Sequence, residues 1–205
     1  MPTSMRTVSK ILIWPVGIAL VLVLYFSDNI RGYYRFKEIC AKDAGLHVYQ
    51  PLERNVGWMV SGGRMYDTAI PVNFKEVAFV RYHDEKDGNW YDVYRAPKLK
   101  VGDPGYARQP ADLSKPVVYE FRFTQGGLEN EVRMGFGVDE VIDLRTSKTA
   151  ATYKVFSYGK FNPDNTILAA PSGEACPDDV FRRDPATGKA LPMKRDLAYA
   201  SMFIQ

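Results

Sequence analysis

The longest apolar stretch of the chain lies near its N-terminus. From Ile11 to Phe26 the sequence reads ILIWPVGIALVLVLYF, sixteen residues without a charged side chain. A helix rises about 1.5 Å per residue, so this run spans about 24 Å, and uncharged flanking residues extend it toward the thickness of a bilayer. The pattern predicts an uncleaved transmembrane signal anchor over residues 11–27, with residues 1–10 in the cytoplasm.

A cleaved signal peptide is the competing interpretation, because a basic start followed by an apolar run also describes a secretory leader. Cleavage is disfavoured, since no small-x-small pattern follows the run before Gly32. No cysteine stands directly behind the run for lipid attachment either. The anchor is therefore the prediction that we carry forward.

The two cysteines decide the expected orientation of the anchor. Basic residues flank the apolar run on both sides, so the positive-inside rule gives no preference. The rest of the chain contains only Cys40 and Cys176, and an even number of cysteines in an exported domain is expected to pair. Two packed thiols in a cytoplasmic protein are the alternative. We predict a disulfide and a domain, residues 28–205, that lies in a bacterial periplasm.

Beyond the apolar run, hydrophobic positions follow first a helical and then a β period. Tyr33, Phe36, Cys40 and Ala44 recur every three or four residues, which predicts a juxtamembrane helix that ends at Gly45. The later sequence alternates as antiparallel strands do. The expected fold class is α+β: a transmembrane helix that continues into the juxtamembrane helix, then a mainly antiparallel sheet of about six to eight strands.

The first predicted hairpin joins Lys75–Tyr82 to Asn89–Arg95. These runs flank the dipeptide DG, which favours a two-residue turn. That register places His83 opposite Asp92. Such a pair would raise the pKa of the histidine and permit acid or base work, although pairs of this kind are common on protein surfaces.

The second predicted hairpin turns at the dipeptide GG, residues 126–127. This turn places Phe121 opposite Val132 on an apolar face and Arg122 opposite Glu131 on a charged face. Because a one-residue slip would place charges opposite core residues, the pattern indicates a well-specified register.

A third hairpin is predicted from Val138–Leu144 to Thr152–Tyr158. The proline-punctuated segment 96–115 is expected to be an irregular loop outside the sheet. Near the C-terminus, Leu197–Ile204 is expected to form a short closing strand or helix.

The sequence carries no recognisable catalytic, metal or cofactor motif. His47 and His83 are 36 residues apart without a second ligand at a familiar spacing, and the stretch HDEKDG fits a calcium loop poorly at both ends. Cys40 with His47 is interpreted as a half-cystine beside an unrelated histidine. We expect no catalytic residue, metal ion or cofactor. Arg6 and Lys10 are the only charged side chains before Asp28, so the rest of the chain has 25 basic and 24 acidic residues, and this near neutrality argues against nucleic acid.

Aromatic and basic residues are concentrated in the first half of the predicted domain. Such residues favour protein interfaces, although many aromatic side chains pack in cores instead. The candidate interface consists of Trp90, Tyr91, Tyr94, Lys98, Lys100, Tyr106 and Arg108.

Two stretches carry a resemblance to known proteins: RFKEICAKDAGLHVYQPLE and VIDLRTSKTAATYKVFSYG. They resemble uncharacterised proteobacterial single-pass envelope proteins that share a membrane anchor, a cysteine, an AG or GG turn and a V-Y segment. The resemblance implies an envelope location and, for some such proteins, a role as immunity factors against secreted toxins. It implies no catalytic residues.

These observations together predict an inner-membrane-anchored periplasmic module without catalytic activity. Its expected partner is another protein, which it binds either as an inhibitor of an imported toxin or as an accessory subunit of an envelope complex. A membrane-tethered periplasmic hydrolase is the alternative.

Overall fold

The computed structural model describes residues 4–96, 107–131, 133–159, 173–177 and 198–203. These residues form one long helix, two short 3-10 helices and a nine-stranded sheet. The elements are α1 (Ser4–Asp43), β1 (Gly45–Val48), β2 (Val56–Val60), the 3-10 helices Met65–Ala69 and Pro71–Asn73, β3 (Val77–His83), β4 (Trp90–Val93), β5 (Arg108–Pro110), β6 (Val117–Gly127), β7 (Met134–Asp143), β8 (Lys148–Tyr158) and β9 (Glu174–Cys176).

The predicted helical stripe is confirmed in the last turns of α1. Phe36 is fully buried, and its ring stacks on that of Tyr158 with 5.7 Å between the ring centres. The helix ends at Asp43, and Gly45 follows it with a positive φ of 99°. Glycine suits this position because other residues adopt a positive φ only with strain.

The predicted disulfide is also present. Cys40 of α1 is bonded to Cys176 of β9, with 5.8 Å between their Cα atoms. The bond holds the helix beside the small core that Phe36 and Tyr158 share.

In the part of the chain that the structure describes, no helix has the length and apolarity needed to cross a membrane. The predicted span over residues 11–27 falls partly outside that part, because the side chains of residues 11–14 and 22–26 are not among those described.

The mixed fold class and the mainly antiparallel sheet are confirmed. The strands are ordered β1-β8-β7-β6-β2-β3-β4-β5, and β9 also pairs with β8. Every pairing is antiparallel except those of β2, which runs parallel to both β3 and β6. The sheet is therefore not a simple meander, because β2 is inserted between strands that follow it in the chain.

The main core is centred on Trp58 of β2, which is fully buried. The centre of its ring lies 5.5 Å from that of Tyr119, 5.8 Å from Phe74 and 6.1 Å from Phe203. The expected closing segment is confirmed in outline: residues 198–200 are helical, and Phe203 forms an isolated bridge with Leu52.

The first hairpin is confirmed, but its predicted register is wrong. His83 lies opposite Trp90 rather than Asp92, and Asp92 lies opposite Arg81. The reason is a longer turn, in which Asp84 N–H donates to the carbonyl of Asn89 (2.9 Å) and its own carboxylate accepts from the backbone N–H of Lys86 (3.0 Å).

The second hairpin is confirmed with a different turn. Strand β6 runs through both glycines of the GG pair, so Phe121 lies opposite Val141 rather than Val132. The chain reverses between β6 and β7, where Asn130 and Arg133 adopt positive φ. The predicted cross-strand pair of Arg122 with Glu131 is not formed.

Both members of that predicted pair have other partners. Arg122 contacts Glu120 on its own strand through two hydrogen bonds, of 2.9 and 2.8 Å. Glu131 accepts a hydrogen bond of 3.0 Å from Arg35 of α1.

The third hairpin is confirmed as β7 and β8, with β8 beginning at Lys148. The expectation that 96–115 stays outside the sheet is wrong for Arg108–Pro110, which pairs with β4 as the short strand β5. Pro110 is tolerated there because β5 ends the observed strand order, where a missing N–H leaves no ladder bond unmade. Residues 97–106 lie outside the described residues.

Candidate binding cleft

The candidate interface residues fall on both faces of the β3-β4-β5 end of the sheet. Alternation along β4 places Trp90 on one face and Tyr91 on the other, and the register pairs Arg108 with Val93, on the face of Tyr91. Lys98, Lys100 and Tyr106 lie outside the described residues. Their joint role as an interface stays a prediction.

Arg108 is held by a network around the β3-β4 turn. Its guanidinium carbon lies 4.0 Å from the centre of the Tyr91 ring, and it donates to the Tyr82 hydroxyl at 2.9 Å. It also forms an ion pair with Asp84. These contacts raise the pKa of Arg108, with the hydrogen bond to Tyr82 as the largest cause. The residue is therefore committed to stabilising the turn.

The opposite face carries a buried ion pair. Arg81 and Asp92 are 6% and 1% exposed and form two hydrogen bonds, of 2.7 and 2.9 Å. The loop after β5 covers them: Arg81 donates to the carbonyl of Asp112 at 2.6 Å, and the backbone N–H of Asp112 donates to Asp92 at 3.1 Å. Every polar group of this pair thus has a structural task.

In the described residues, neither histidine ring forms a hydrogen bond or an ion pair with a carboxylate. His83 Nε2 lies 3.1 Å from the carbonyl of Gly88, and His47 Nε2 lies 3.1 Å from the carbonyl of Asp43. The same part of the chain contains no group of three or more residues that could hold a metal ion. The arrangement of His83 with Asp92 that the sequence suggested is absent, because Asp92 is paired with Arg81.

A cleft of about 810 Å³ opens where β2 ends. One wall is the loop Ser61–Arg64 with the 3-10 helix that follows it, and the opposite wall is the middle of β6. Glu85, from the β3-β4 turn, also lines the cleft. Its volume lies within the range of binding sites for ligands and peptide side chains.

The glycines of the loop allow its close approach to its neighbours. A Cβ atom at Gly62 would lie 2.2 Å from the Asp67 carboxylate, and one at Gly63 would lie 2.0 Å from Cγ of Glu85. The carbonyl of Gly63 accepts a hydrogen bond of 3.0 Å from the backbone N–H of Glu85. Two glycines in succession therefore fix this wall against the β3-β4 turn.

Strand β6 is half covered and half open. It is buried from Tyr119 to Phe121, where it pairs with β2, and it is exposed at every residue from Arg122 to Gly127. Strand β2 ends at Val60, opposite Phe121. Within the described residues, no strand continues the line of β2 along the rest of β6.

The direction of the main-chain groups on this open edge follows from the ladder with β7. The backbone N–H of Leu144 donates to Val118, and that of Leu128 donates to Met134, so even-numbered residues of β6 bond toward β7. In an antiparallel ladder the intervening residues point their N–H and C=O groups the other way. Phe123 and Gln125 therefore direct both groups into the cleft.

Two aromatic side chains and one carboxylate give the cleft its chemical character. Tyr66 is 73% exposed and Phe123 is 53% exposed, one on each wall. Among the residues described, no cation forms an ion pair with Glu85, whereas Asp67 is already engaged by Arg64. The cleft thus combines two exposed aromatic side chains with a carboxylate that forms no ion pair among the described residues.

Sequence reasoning did not identify this cleft. Its two signals are present in the sequence: the dipeptide GG at 62–63, and the aromatic and polar residues of β6 just before the second GG pair. The glycines at 126–127 were interpreted as a turn, so the sequence did not predict that β6 continues through them as an exposed strand. The contact between β2 and β6 cannot be read from a local pattern.

Comparison with known proteins gives no relative: no family model, curated protein or solved structure matches the chain.

Proposed function

We propose that this chain is a membrane-anchored module that binds a partner protein through the cleft beside β6. The observation that carries the proposal is the open edge of that strand, from Arg122 to Gly127. A strand edge with free main-chain groups is a template for pairing, and natural proteins normally cover it or protect it with charge. Here the edge is exposed, flanked by Tyr66 and lined by Phe123.

The proposed anchor is the N-terminal half of α1. The helix is continuous from Ser4 to Asp43, and the apolar run Ile11–Phe26 lies within it. The proposed side is the periplasm, because the Cys40–Cys176 disulfide is typical of an oxidising compartment. Binding would then occur close to the membrane surface.

Two forms of the role fit this arrangement, an inhibitor of an incoming toxin or an accessory subunit of an envelope complex. The resemblance to envelope proteins with immunity members favours the first. Survival of cells that are exposed to a neighbouring toxin, with and without this chain, separates the two.

Photo-crosslinking tests the binding proposal in intact cells. A benzoylphenylalanine is introduced at Tyr66 or Phe123, in the cleft, and at Tyr49 or Trp90, on exposed surface outside its lining. We expect one discrete protein adduct from both cleft positions and none from the others. Adducts only from Trp90 would move the site to β4, and the lack of any adduct would reject protein binding.

Thiol alkylation tests the compartment separately. In freshly isolated native protein, we expect Cys40 and Cys176 to react with maleimide only after reduction. A Cys40→Ser/Cys176→Ser chain provides the unlabelled control. Free thiols in the native protein would contradict the periplasmic orientation and leave the cleft proposal to be judged by crosslinking.

A further inference from the structure

We infer that the partner contributes an extended segment, which adds to the sheet as a strand along residues 123–127 of β6. The inference rests on the proposed function and names the kind of segment that the cleft takes. In strand addition, main-chain hydrogen bonds supply affinity and alternate side chains supply specificity.

The main-chain argument comes from the place where β2 stops. Up to Phe121, the edge of β6 that faces away from β7 is occupied by β2. From Phe123 onward the same row of N–H and C=O groups continues into the cleft with no strand against it in the described residues. At about 3.3 Å per residue, the open stretch 123–127 accommodates about five residues of an added strand.

The side-chain argument concerns what such a strand would meet. Phe123 lies on the same face of β6 as Phe121. Phe121 is buried in the core, whereas Phe123 is exposed, so this apolar face of β6 extends past the core into the cleft. An apolar side chain on the added strand would cover Phe123 and contact Tyr66. The segment is therefore expected to alternate apolar with polar residues.

The charge argument concerns Glu85. Its carboxylate lines the cleft and, in the described residues, forms no ion pair, whereas the neighbouring Asp84 is paired with Arg108. Charge complementarity selects a partner with the opposite sign at an interface. The segment is therefore expected to carry a lysine or arginine that reaches Glu85.

Amide hydrogen exchange of the full-length chain in detergent micelles tests the geometry first. In the free protein, the amides of Phe123 and Gln125 should exchange rapidly, while those of Thr124 and Gly126, which bond to β7, should be protected. Equal protection of all four amides at every protein concentration would mean that the edge is already covered and would overturn the inference.

The ligand probe is a set of acetylated nonapeptides of alternating Thr and Val. Lysine replaces each position in turn, and glutamate does so in the control set. At a peptide concentration of ten times its Kd, exchange at Phe123 and Gln125 should slow by about tenfold. The best lysine peptide should bind about two- to fivefold more tightly than its glutamate counterpart.

Two variants at Gln125 separate main-chain pairing from side-chain contact. Gln125→Pro removes an N–H that points into the cleft, so peptide binding should be lost. The hydrogen bonds between β6 and β7 should remain, because they are formed by even-numbered residues of β6. Gln125→Ala retains the N–H and should therefore keep most of the peptide affinity that Gln125→Pro loses. Urea unfolding of both variants shows whether Gln125→Pro is folded.

A charge reversal at Glu85 tests the expected preference for a basic peptide. This test does not depend on whether Gln125→Pro folds. Glu85→Lys should reverse the preference, so that glutamate peptides bind more tightly than lysine peptides. Glu129→Lys, an equal change of charge in the β6-β7 turn outside the cleft lining, should leave the preference unchanged. An unchanged preference in Glu85→Lys would overturn the charge argument.

The remaining outcomes distinguish this inference from the proposed function. Crosslinks from Tyr66 and Phe123 without peptide protection at Phe123 would reject strand addition and leave protein binding intact. Protection that grows with protein concentration in the absence of peptide would show that a second copy fills the cleft, which overturns the inference. A lack of both crosslinks and peptide binding would reject the two together.

Discussion

The β3-β4-β5 end of the sheet and the outer half of β6 carry similar side chains in opposite situations. At the β3-β4-β5 end, Arg81 and Asp92 are buried as a pair, and the loop that follows β5 forms further hydrogen bonds with both side chains. In the outer half of β6, the chain is exposed from Arg122 to Gly127 and its edge faces an open cleft. Both regions contain aromatic and charged residues, but the charged side chains of the first are paired with each other, whereas the second presents an open strand edge to the cleft in the described residues.

The difference teaches that the composition of a surface is a weaker guide to binding than the state of its hydrogen-bonding groups. Tyr91 and Arg108 have the residue types of an interface, yet they stack on each other and bind the β3-β4 turn. Phe123 and Gln125 are less conspicuous in composition, yet they lie on an edge of β6 that no other strand pairs with in the described residues. The closed region should therefore respond to substitution through stability, and the open region through binding.

The largest expected contrast is between two phenylalanines of β6 that share a face. Phe121 is 2% exposed, so Phe121→Ala should lower the free energy of unfolding by about 4 kcal/mol, because it leaves a cavity in the core. Phe123→Ala should lower it by about 0.5 kcal/mol or less. Urea unfolding measures both. A loss of more than about 2 kcal/mol in Phe123→Ala would show that the open edge is covered in solution.

The second prediction concerns the buried ion pair. Asp92→Asn leaves the guanidinium of Arg81 buried without a counter-charge, and it should lower the free energy of unfolding by about 3 kcal/mol. An Arg81→Met/Asp92→Leu double variant should recover most of this loss, since both charges are then removed. Urea unfolding of the three chains provides the measurement. A single variant as stable as the parent would mean that water reaches the pair.

The third prediction compares a glycine of the buried strand β2 with a glycine of the open half of β6. A Cβ atom at Gly57 would lie 2.3 Å from the Phe79 ring and 2.8 Å from the carbonyl of Pro116, so Gly57→Ala should destabilise the fold by about 2 kcal/mol. A Cβ atom at Gly126 would lie 3.4 Å from the Phe136 ring, an ordinary contact. Gly126→Ala should stabilise by about 0.5 kcal/mol, because alanine has less freedom in the unfolded chain. Thermal unfolding should shift in opposite directions.

The local hydrophobic periodicity was sufficient to predict the elements that are formed by residues close together in the sequence. The stripe through Phe36 and Cys40 and the existence of three hairpins both follow from patterns within short windows. These features depend on which face of an element is apolar, and the order of side chains determines that directly.

Turn positions and distant pairings were not predictable in the same way. Alternation fixes which face of a strand is buried, so moving the first hairpin by two residues leaves the faces of Tyr82 and Val93 unchanged. In the second hairpin, the GG dipeptide lies inside strand β6, where the two glycines pair with Phe136 and Gly135 of β7 instead of forming the turn. The parallel pairing of β2 with β6 joins segments far apart in sequence, and no short pattern encodes it.

The smallest expected effect is a pKa change in the β3-β4 turn. The Tyr91 hydroxyl donates to the Asp87 carboxylate at 2.7 Å, and this bond is the largest cause of the lowered pKa of Asp87. In Tyr91→Phe, the pKa of Asp87 should rise toward the ordinary value of about 3.9. The pKa of Asp84 should stay low, because its main cause is the backbone N–H of Lys86. Titration of the carboxyl carbon shifts by NMR measures both groups.

The same variant predicts how stability depends on pH. A carboxyl with a lowered native pKa stabilises the fold above its unfolded pKa, and this stabilisation is lost as the pH falls through the native pKa. The parent and Tyr91→Phe should therefore differ in their free energy of unfolding partly because of Asp87. This part of the difference should be complete above about pH 5 and should shrink below about pH 4. A Tyr91→Phe gap that is independent of pH would show that the hydroxyl acts through packing alone.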